Sequence, residues 1–482
     1  MQQEITKPFT RVMNARLIAS VVATGIMSFS GVVVETAMNV TFPALMREFG
    51  VNTSTVQWMT TAYLLVLAAI IPTSAYLNRR FRTKRIFMAA MSLYILGIVL
   101  GLTAQSFPWL LCGRIAEGMG TGIALPLMFN VIQEQAPKRS MGLMMGVGSL
   151  VTAMAPAVGP SLGGWLAETF GWRSIFACLL PLLLVGFVLG ALTIRQSHPA
   201  KRDRFDLVGW LLLVMAFTSL VLAASEMGTG GPSSPMVLGL IAASATLLAL
   251  FTLHASHAET PLISLGTFRD SRFDLGLMAL IGLQFIVLGL SFLLPNYSQL
   301  TLGHGPTEAG SILLPGCLLG AVMAPVSGRL LDAFGARRPI LTGACAVLLA
   351  CVLLWLTAPS CETFMATCIY LFFAFGQGLM VGNTMTHTLG GLADERKADG
   401  TAIINTLQQL AGALGTSVVT AVVATAQTSA GVSASEAGSA LSTATTNGTQ
   451  GALALLVGVA ALVLVAEVLS LCAHGGRDRD RT

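Results

Sequence analysis

The sequence predicts an all-α polytopic membrane protein, and three observations carry that expectation. Hydrophobic residues fill 54% of 482 positions and charged residues only 10%, against roughly 25% charged usage in ordinary globular chains. The apolar residues run continuously, where a membrane β-barrel would alternate at every second position. Helices are then the remaining way to satisfy so much backbone inside lipid. Finally, Lys and Arg gather in alternate gaps between the apolar runs, the pattern of cytoplasmic loops.

Windows of about 20 apolar residues place fourteen crossings at 16–37, 56–77, 86–104, 108–132, 141–166, 173–194, 207–226, 236–256, 273–299, 308–328, 339–357, 362–388, 400–427 and 450–473. The basic gaps hold Arg79, Arg80, Arg82, Lys84 and Arg85, then Lys138 and Arg139, then Arg195, Lys201, Arg202 and Arg204. They continue through Arg269 and Arg272, Arg329, Arg337 and Arg338, and Arg396 and Lys397, to Arg477, Arg479 and Arg481. The opposite gaps hold Arg47 and Arg173. Both termini are therefore expected in the cytoplasm of a cell-membrane protein, which requires an even number of crossings. The net charge of +5 follows from that loop bias and implies no nucleic-acid partner. Lys7, Arg11 and Arg16 lead into a first apolar segment long enough to remain as a span. The segment 428–449, rich in Ser, Thr, Ala and Gly, reads as a flexible external loop.

The same residues restrict the chemistry. The five lysines are followed by Pro, Arg or Ala, so no phosphate-cradling loop ending in Lys-Ser or Lys-Thr exists. No cytoplasmic gap exceeds about twenty residues, too short for a catalytic domain, and no Cys, His or acid cluster has metal-ligand spacing. The expectation is no enzyme, no metal and no cofactor. An internal repeat points to a transporter instead. Pro72-x4-Leu77-x3-Phe81-x2-Lys84-Arg85 and Pro325-x4-Leu330-x3-Phe334-x2-Arg337-Arg338 share one register. Each follows the second span of a six-span set, an arrangement of paired halves that suits alternating access. The expected divisions are an N-terminal six-helix bundle over 1–194, a linker and two inserted helices over 195–257, and a C-terminal six-helix bundle with a short tail over 258–482.

These residues resemble the major facilitator superfamily, in particular its fourteen-span drug:proton antiporter branch of the QacA/EmrB type. Gly328-Arg329-Leu330-Leu331-Asp332-Ala333-Phe334-Gly335-Ala336-Arg337-Arg338 is similar to the superfamily loop. Arg114-Ile115-Ala116-Glu117-Gly118 resembles the motif of span 4. Gly148 to Gly164, with Pro156, Gly159, Pro160 and Gly163, resembles the antiporter signature of span 5. Glu35-Thr36-Ala37-Met38-Asn39-Val40 resembles the motif of span 1, and Trp172–Phe176, Phe205–Gly209 and Leu314-Pro315-Gly316 are weaker likenesses. The chain departs from the pattern at Arg79 and Arg82 in the first-half loop, at Glu35 for Asp, and at Glu117 for Gln. The resemblance implies export of amphipathic or cationic drugs against protons, driven by the proton gradient, by a protein that works as a monomer.

Three groups of residues carry that expectation. A charge at the bilayer centre costs about 3 kcal/mol on insertion scales, so an intramembrane acid is a functional candidate. Glu35 is read as a proton carrier, with a solvent-wetted helix end as the alternative. Arg114 cannot deprotonate; it either tunes a carboxyl during exchange or forms a fixed pair with Glu117 at i+3. Gly148, Thr152, Pro156, Pro160 and Gly164 recur every fourth residue, along one helix face that could slide or pack tightly. The turn with Gly328, Asp332, Gly335, Arg337 and Arg338 is expected to latch cytoplasmic helix ends. Glu226, Glu308, Glu467 and His387 are weaker candidates, read mainly as solvated span ends. Cargoes such as a metabolite, fatty acid, peptide-like compound or siderophore stay open, as do an importer and a non-transporting scaffold.

Overall fold

The computed structural model describes residues 15–135, 141–194, 205–231, 233–258, 265–358, 362–431 and 439–477. They form seventeen α-helices, and among the described residues there is no strand. The first half comprises α1 (Ala15–Val40), α2 (Phe42–Phe49), α3 (Thr53–Ile70), α4 (Ser74–Arg80), α5 (Thr83–Leu102), α6 (Phe107–Gln135), α7 (Met141–Phe170) and α8 (Arg173–Thr193). Next come α9 (Leu207–Gly230) and α10 (Pro235–His257). The second half comprises α11 (Ser271–Leu300), α12 (Pro306–Ser311), α13 (Leu314–Phe334), α14 (Arg337–Thr357), α15 (Thr363–Gly390), α16 (Asp394–Ser429) and α17 (Ser439–Arg477).

Among the described residues, twelve helices are long and apolar enough to cross a membrane: α1, α3, α5, α6, α8 to α11, and α14 to α17. The sequence expectation of fourteen crossings therefore rests, for its remaining two, on α7 and α13. Local signals explain several boundaries. Asn52 caps α3 by accepting from the Thr55 amide at 2.8 Å, and Asp206 caps α9 from the Gly209 amide at 2.9 Å, each relieving an orphan donor of the first turn. Asp206 also meets His254 Nε2 at 2.7 Å, so one side chain starts α9 and ties it to the last turn of α10. α2 stops at Gly50, whose φ of 63° lies in the left-handed region, the usual helix-ending role of glycine.

Two boundaries correct the sequence reading. The expected span 308–328 is broken: α12 ends at Ser311, and α13 runs from Leu314 to Phe334, with a proline in the first turn of each. The segment 428–449 is not a loop throughout, because α16 reaches Ser429 and α17 begins at Ser439. Side-chain bonds hold that extra helix. Gln427 Nε2 donates to Thr445 Oγ1 at 3.0 Å, and the Ser442 hydroxyl donates to the Thr301 carbonyl at 3.3 Å. Alanine-rich polar sequence is good helix former once its hydroxyls are paired.

The two halves meet most completely at one end of the bundle. Every residue of α1 from Val33 to Val40 is buried, as is every residue of α11 from Leu288 to Ser298. A helix buried all round is an interior helix, so these two ends form the core of a seal. Phe42 and Phe292 touch there with ring centroids 5.7 Å apart. Gln299 Nε2 donates to the Val40 carbonyl at 3.1 Å, and Gln57 Nε2 to Ser417 Oγ at 2.6 Å. We refer to this as the sealed end. The opposite end, which carries the α4–α5 and α13–α14 turns, is the basic end. α9 packs on α3 and α16, where the halves adjoin, and α10 packs on α9.

Candidate functional site

Charge is concentrated at one point inside the first half. Arg114 on α6 is 0% exposed, Glu117 one turn on is 0% exposed, and Glu35 on α1 is 5% exposed. The Arg114 guanidinium binds the Glu117 carboxylate through Nη1 and Oε2. Its Nε donates to the Met59 carbonyl at 3.2 Å, and its carbon lies 4.3 Å from the centroid of the Tyr63 ring. A desolvated cation over an aromatic face gains about 2 kcal/mol. Tyr63 is held in turn by its hydroxyl, which donates to the Gly31 carbonyl at 3.0 Å, one turn before Glu35. Tyr63 therefore links the Arg114 site on α6 to α1, one turn from Glu35. Arg114 and Glu117 form the expected i+3 pair, and Glu35 lies buried on α1 near the Tyr63 contact. The solvent-wetted reading of Glu35 is excluded by its burial.

Arg114 Nη2 and Glu117 Oε1 have no hydrogen-bond partner among the described residues. Such groups are costly in an apolar interior unless something else satisfies them. The cluster therefore keeps spare donor and acceptor capacity for a proton, water or a shifted partner. Close packing of α5 on α6 makes room for it. A Cβ on Gly97 would lie 2.5 Å from Glu117 Cγ and 2.6 Å from the Gly113 carbonyl, so only glycine fits beside this acid.

The glycine-rich face of α7 has more than one partner. Gly148 lies against Met128, Phe129 and Ile132 of α6, whereas Gly159 and Gly163 lie against Val33, Thr36 and Ala37 of α1. Gly164 abuts the Pro306 and Thr307 backbone of α12, and the Pro160 carbonyl abuts Gly310. Polar bonds reinforce this contact between halves. The Thr307 amide donates to Glu168 Oε2 at 3.0 Å, and Ser161 Oγ donates to the Gly310 carbonyl at 3.3 Å. One helix therefore touches α1, α6 and the other half within its length. The Thr152 and Pro156 side chains lie outside the described residues.

The other expected residues are less convergent. Gly335 ends α13 with φ 73°, and Arg338 lies 5.7 Å from the Phe334 ring centroid. Arg337 and Arg338 are exposed at the basic end and Gly328 is half-buried; the Asp332 side chain lies outside the described residues. Glu226 is half-buried, and exposed Glu308 reaches His304 at 3.5 Å. His387 is half-buried in the last turn of α15. Glu467 is a correction: it is fully buried, not solvated, because α17 turns it toward Thr384 of α15. Tyr63, Gly97, Gln57 and Ser417 were missed. Tyr63 had a signal, since a phenol inside an apolar span must find a partner.

At the sealed end, Glu48 accepts from Trp172 Nε1 at 2.6 Å and from Arg173 Nη1 at 2.8 Å, while Arg173 Nη2 reaches the Ala104 carbonyl at 2.5 Å. Partial burial pushes the Glu48 carboxyl upward, but the bonds from Trp172 and Arg173 and the Arg173 charge outweigh it and hold it below 4.5. A carboxylate with a lowered folded value stabilises the fold above its unfolded value, and that contribution disappears as pH falls through the folded one. Glu48→Gln should therefore lower the melting temperature slightly at neutral pH and leave it unchanged well below pH 4.5. A difference that grows on acidification would contradict this assignment.

The chain matches the Major Facilitator Superfamily over residues 24–416. It belongs to that superfamily. This major facilitator protein is a multi-pass integral membrane transporter, from a family of transporters and not of enzymes. It is 34% identical to the lincomycin resistance protein LmrB of Listeria innocua over 429 residues, covering 89% of this chain and 90% of that protein. Against the uncharacterized MFS-type transporter YhcA of Bacillus subtilis, identity is 33% over 398 residues, or 82% of this chain and 74% of that one. A multidrug resistance protein B homolog of Mycobacterium tuberculosis is 28% identical over 412 residues, covering 80% and 72%. Among solved structures, the fold is similar to a bacterial homolog of the human lysosomal transporter Spinster, with TM-score 0.67, 15% identity and coverage of 95% and 98%.

Proposed function

We propose that this major facilitator protein exports amphipathic, cationic drugs in exchange for protons by alternating access, as a member of the fourteen-span antiporter branch. The observation that carries the reading is the buried trio of Glu35, Arg114 and Glu117. Arg114 is paired with Glu117, Glu35 lies buried on α1 one turn beyond the Gly31 carbonyl that Tyr63 binds, and on this reading Arg114 balances one carboxylate at a time. The other must carry a proton or draw the arginine away, because an unbalanced charge in that interior is expensive. Proton binding and release are thereby tied to which helix Arg114 holds, α6 through Glu117 or α1 through Glu35. Since α1 and α7 build the sealed end, such a switch acts directly on the gate. The lincomycin and multidrug resistance relatives support drugs as the cargo.

The orientation follows from charge. The basic end lies in the cytoplasm, so the sealed end faces outward and this conformation excludes the outside. α7 and α13 then cross the membrane too. Both termini stay in the cytoplasm, and α9 and α10 form an inserted pair between the halves.

Efflux from cells preloaded with lincomycin or a lipophilic cationic dye tests this reading. The protein should lower the retained compound, and a protonophore should abolish that effect. Glu35→Gln keeps the shape and removes the titrating oxygen; it should be made at normal levels and lose at least tenfold in protonophore-sensitive efflux. Efflux by this variant that still responds fully to the protonophore would remove Glu35 from the coupling mechanism.

A further inference from the structure

The first half accounts for two of the acids buried inside the helices; Glu467, on α17 in the second half, is also fully buried. Its Oε1 accepts the Thr384 hydroxyl of α15 at 2.5 Å, while Oε2 has no partner among the described residues. One turn further along α17, the buried Ser470 hydroxyl also lacks a partner, as does Thr388 Oγ1 one turn further along α15. Thr388 packs against Gly276 in the first turns of α11. A carboxyl and two spare hydroxyls therefore lie between α11, α15 and α17, toward the basic end.

No ion pair among the described residues involves Glu467. The surrounding helices carry their charges nearer that end: Arg272 and Asp274 on α11, Arg337 and Arg338 on α14, and His387 on α15. On α16 the described charged side chains are Arg396, Lys397 and Asp399. None of these pairs with Glu467. A lone carboxylate in an apolar interior is unfavourable, whereas a neutral carboxyl lacks only a hydrogen-bond partner.

We propose that Glu467 is a second proton-binding site, loaded in this conformation, with Thr384 as the residue that positions it. This rests on the proton-coupled reading above. Thr384 fixes Oε1, and Oε2 carries the proton. When the helix contacts loosen and water enters from the basic end, the O–H of Oε2 gives its proton to that water. The carboxylate left behind keeps the Thr384 bond. The site adds a proton to the exchange that the Glu35 trio alone would not account for.

Two measurements test it. Dicyclohexylcarbodiimide, a membrane-soluble reagent, adds to protonated carboxyls. Peptide mass spectrometry of the purified full-length protein should show Glu467 modified at neutral pH, more slowly in Thr384→Val. In proteoliposomes, the dependence of cargo accumulation on the imposed pH gradient should be less steep for Glu467→Gln by one proton per cargo. Cargo binding and the melting temperature should be unchanged, because the amide replaces a neutral group. If Glu467 stays unmodified, or the gradient dependence of Glu467→Gln equals that of the wild type, the second site is refuted. If the wild type ignores the gradient altogether, the antiport reading fails and the coupling role of Glu467 falls with it. Modification of Glu467 would then report a bound proton with no part in transport. Should Glu467→Gln fail to fold, the carbodiimide result on the wild type decides alone.

Discussion

Arg114→Ala is expected to abolish gradient-driven transport and to lower stability by about 3–5 kcal/mol, the usual result of stripping one partner from a buried ion pair. The substitution leaves Glu117 without its cation, frees the Met59 carbonyl, and removes the group stacked on Tyr63. Adding Glu117→Gln removes the stranded carboxyl, so the double variant should regain much of the lost stability while still failing to transport. Arg114→Lys keeps the charge but has no planar fork to serve Met59, Glu117 and the Tyr63 face together; it should fall between the two. Thermal unfolding in detergent together with efflux checks the series. Equal stability losses for the single and double variants would show that the pairing contributes nothing.

Gly159→Val should stop transport by preventing the sealed end from closing. A Cβ there would lie 2.9 Å from the Val33 carbonyl of α1 and collide with the Thr36 hydroxyl, so α1 and α7 would have to separate. Overpacking of this kind costs about 1–3 kcal/mol, a cost that an open sealed end avoids. In a cysteine-free background, a cysteine at Asn296, only 6% exposed here, should react slowly with a membrane-impermeant maleimide. Adding Gly159→Val should speed that reaction by at least tenfold. An unchanged rate together with lost transport would mean that the glycine serves a different step.

Much of the site was legible because charge is scarce inside apolar spans. Glu35, Arg114 and Glu117 each stood out against their neighbours, and the i+3 spacing of the last two anticipated their contact. The four-residue spacing in α7 pointed to a packing face, but not to its several partners, since spacing on one helix says nothing about what lies opposite. Glu467 was misread for the same reason. Its place late in a span suggested solvent, and only the approach of Thr384 from α15 shows that it is enclosed. The break between α12 and α13 was hidden by averaging over an apolar window, although Pro306 and Pro315 marked both helix starts. Residues 439–449 read as a loop because Ser and Thr are weak helix formers alone; the Gln427 and Thr301 contacts that pair them are tertiary.

The central claim is that protons and cargo move in opposite directions through one coupled machine. Purified protein in sealed liposomes, with a pH-sensitive dye inside and no imposed pH gradient, tests it most directly. An outward gradient of transported cargo should drive protons inward and acidify the lumen, because coupling between two transported species is reciprocal. Glu35→Gln liposomes should show no acidification under the same cargo gradient. Cargo leaving the wild-type liposomes with no change in internal pH would contradict the account.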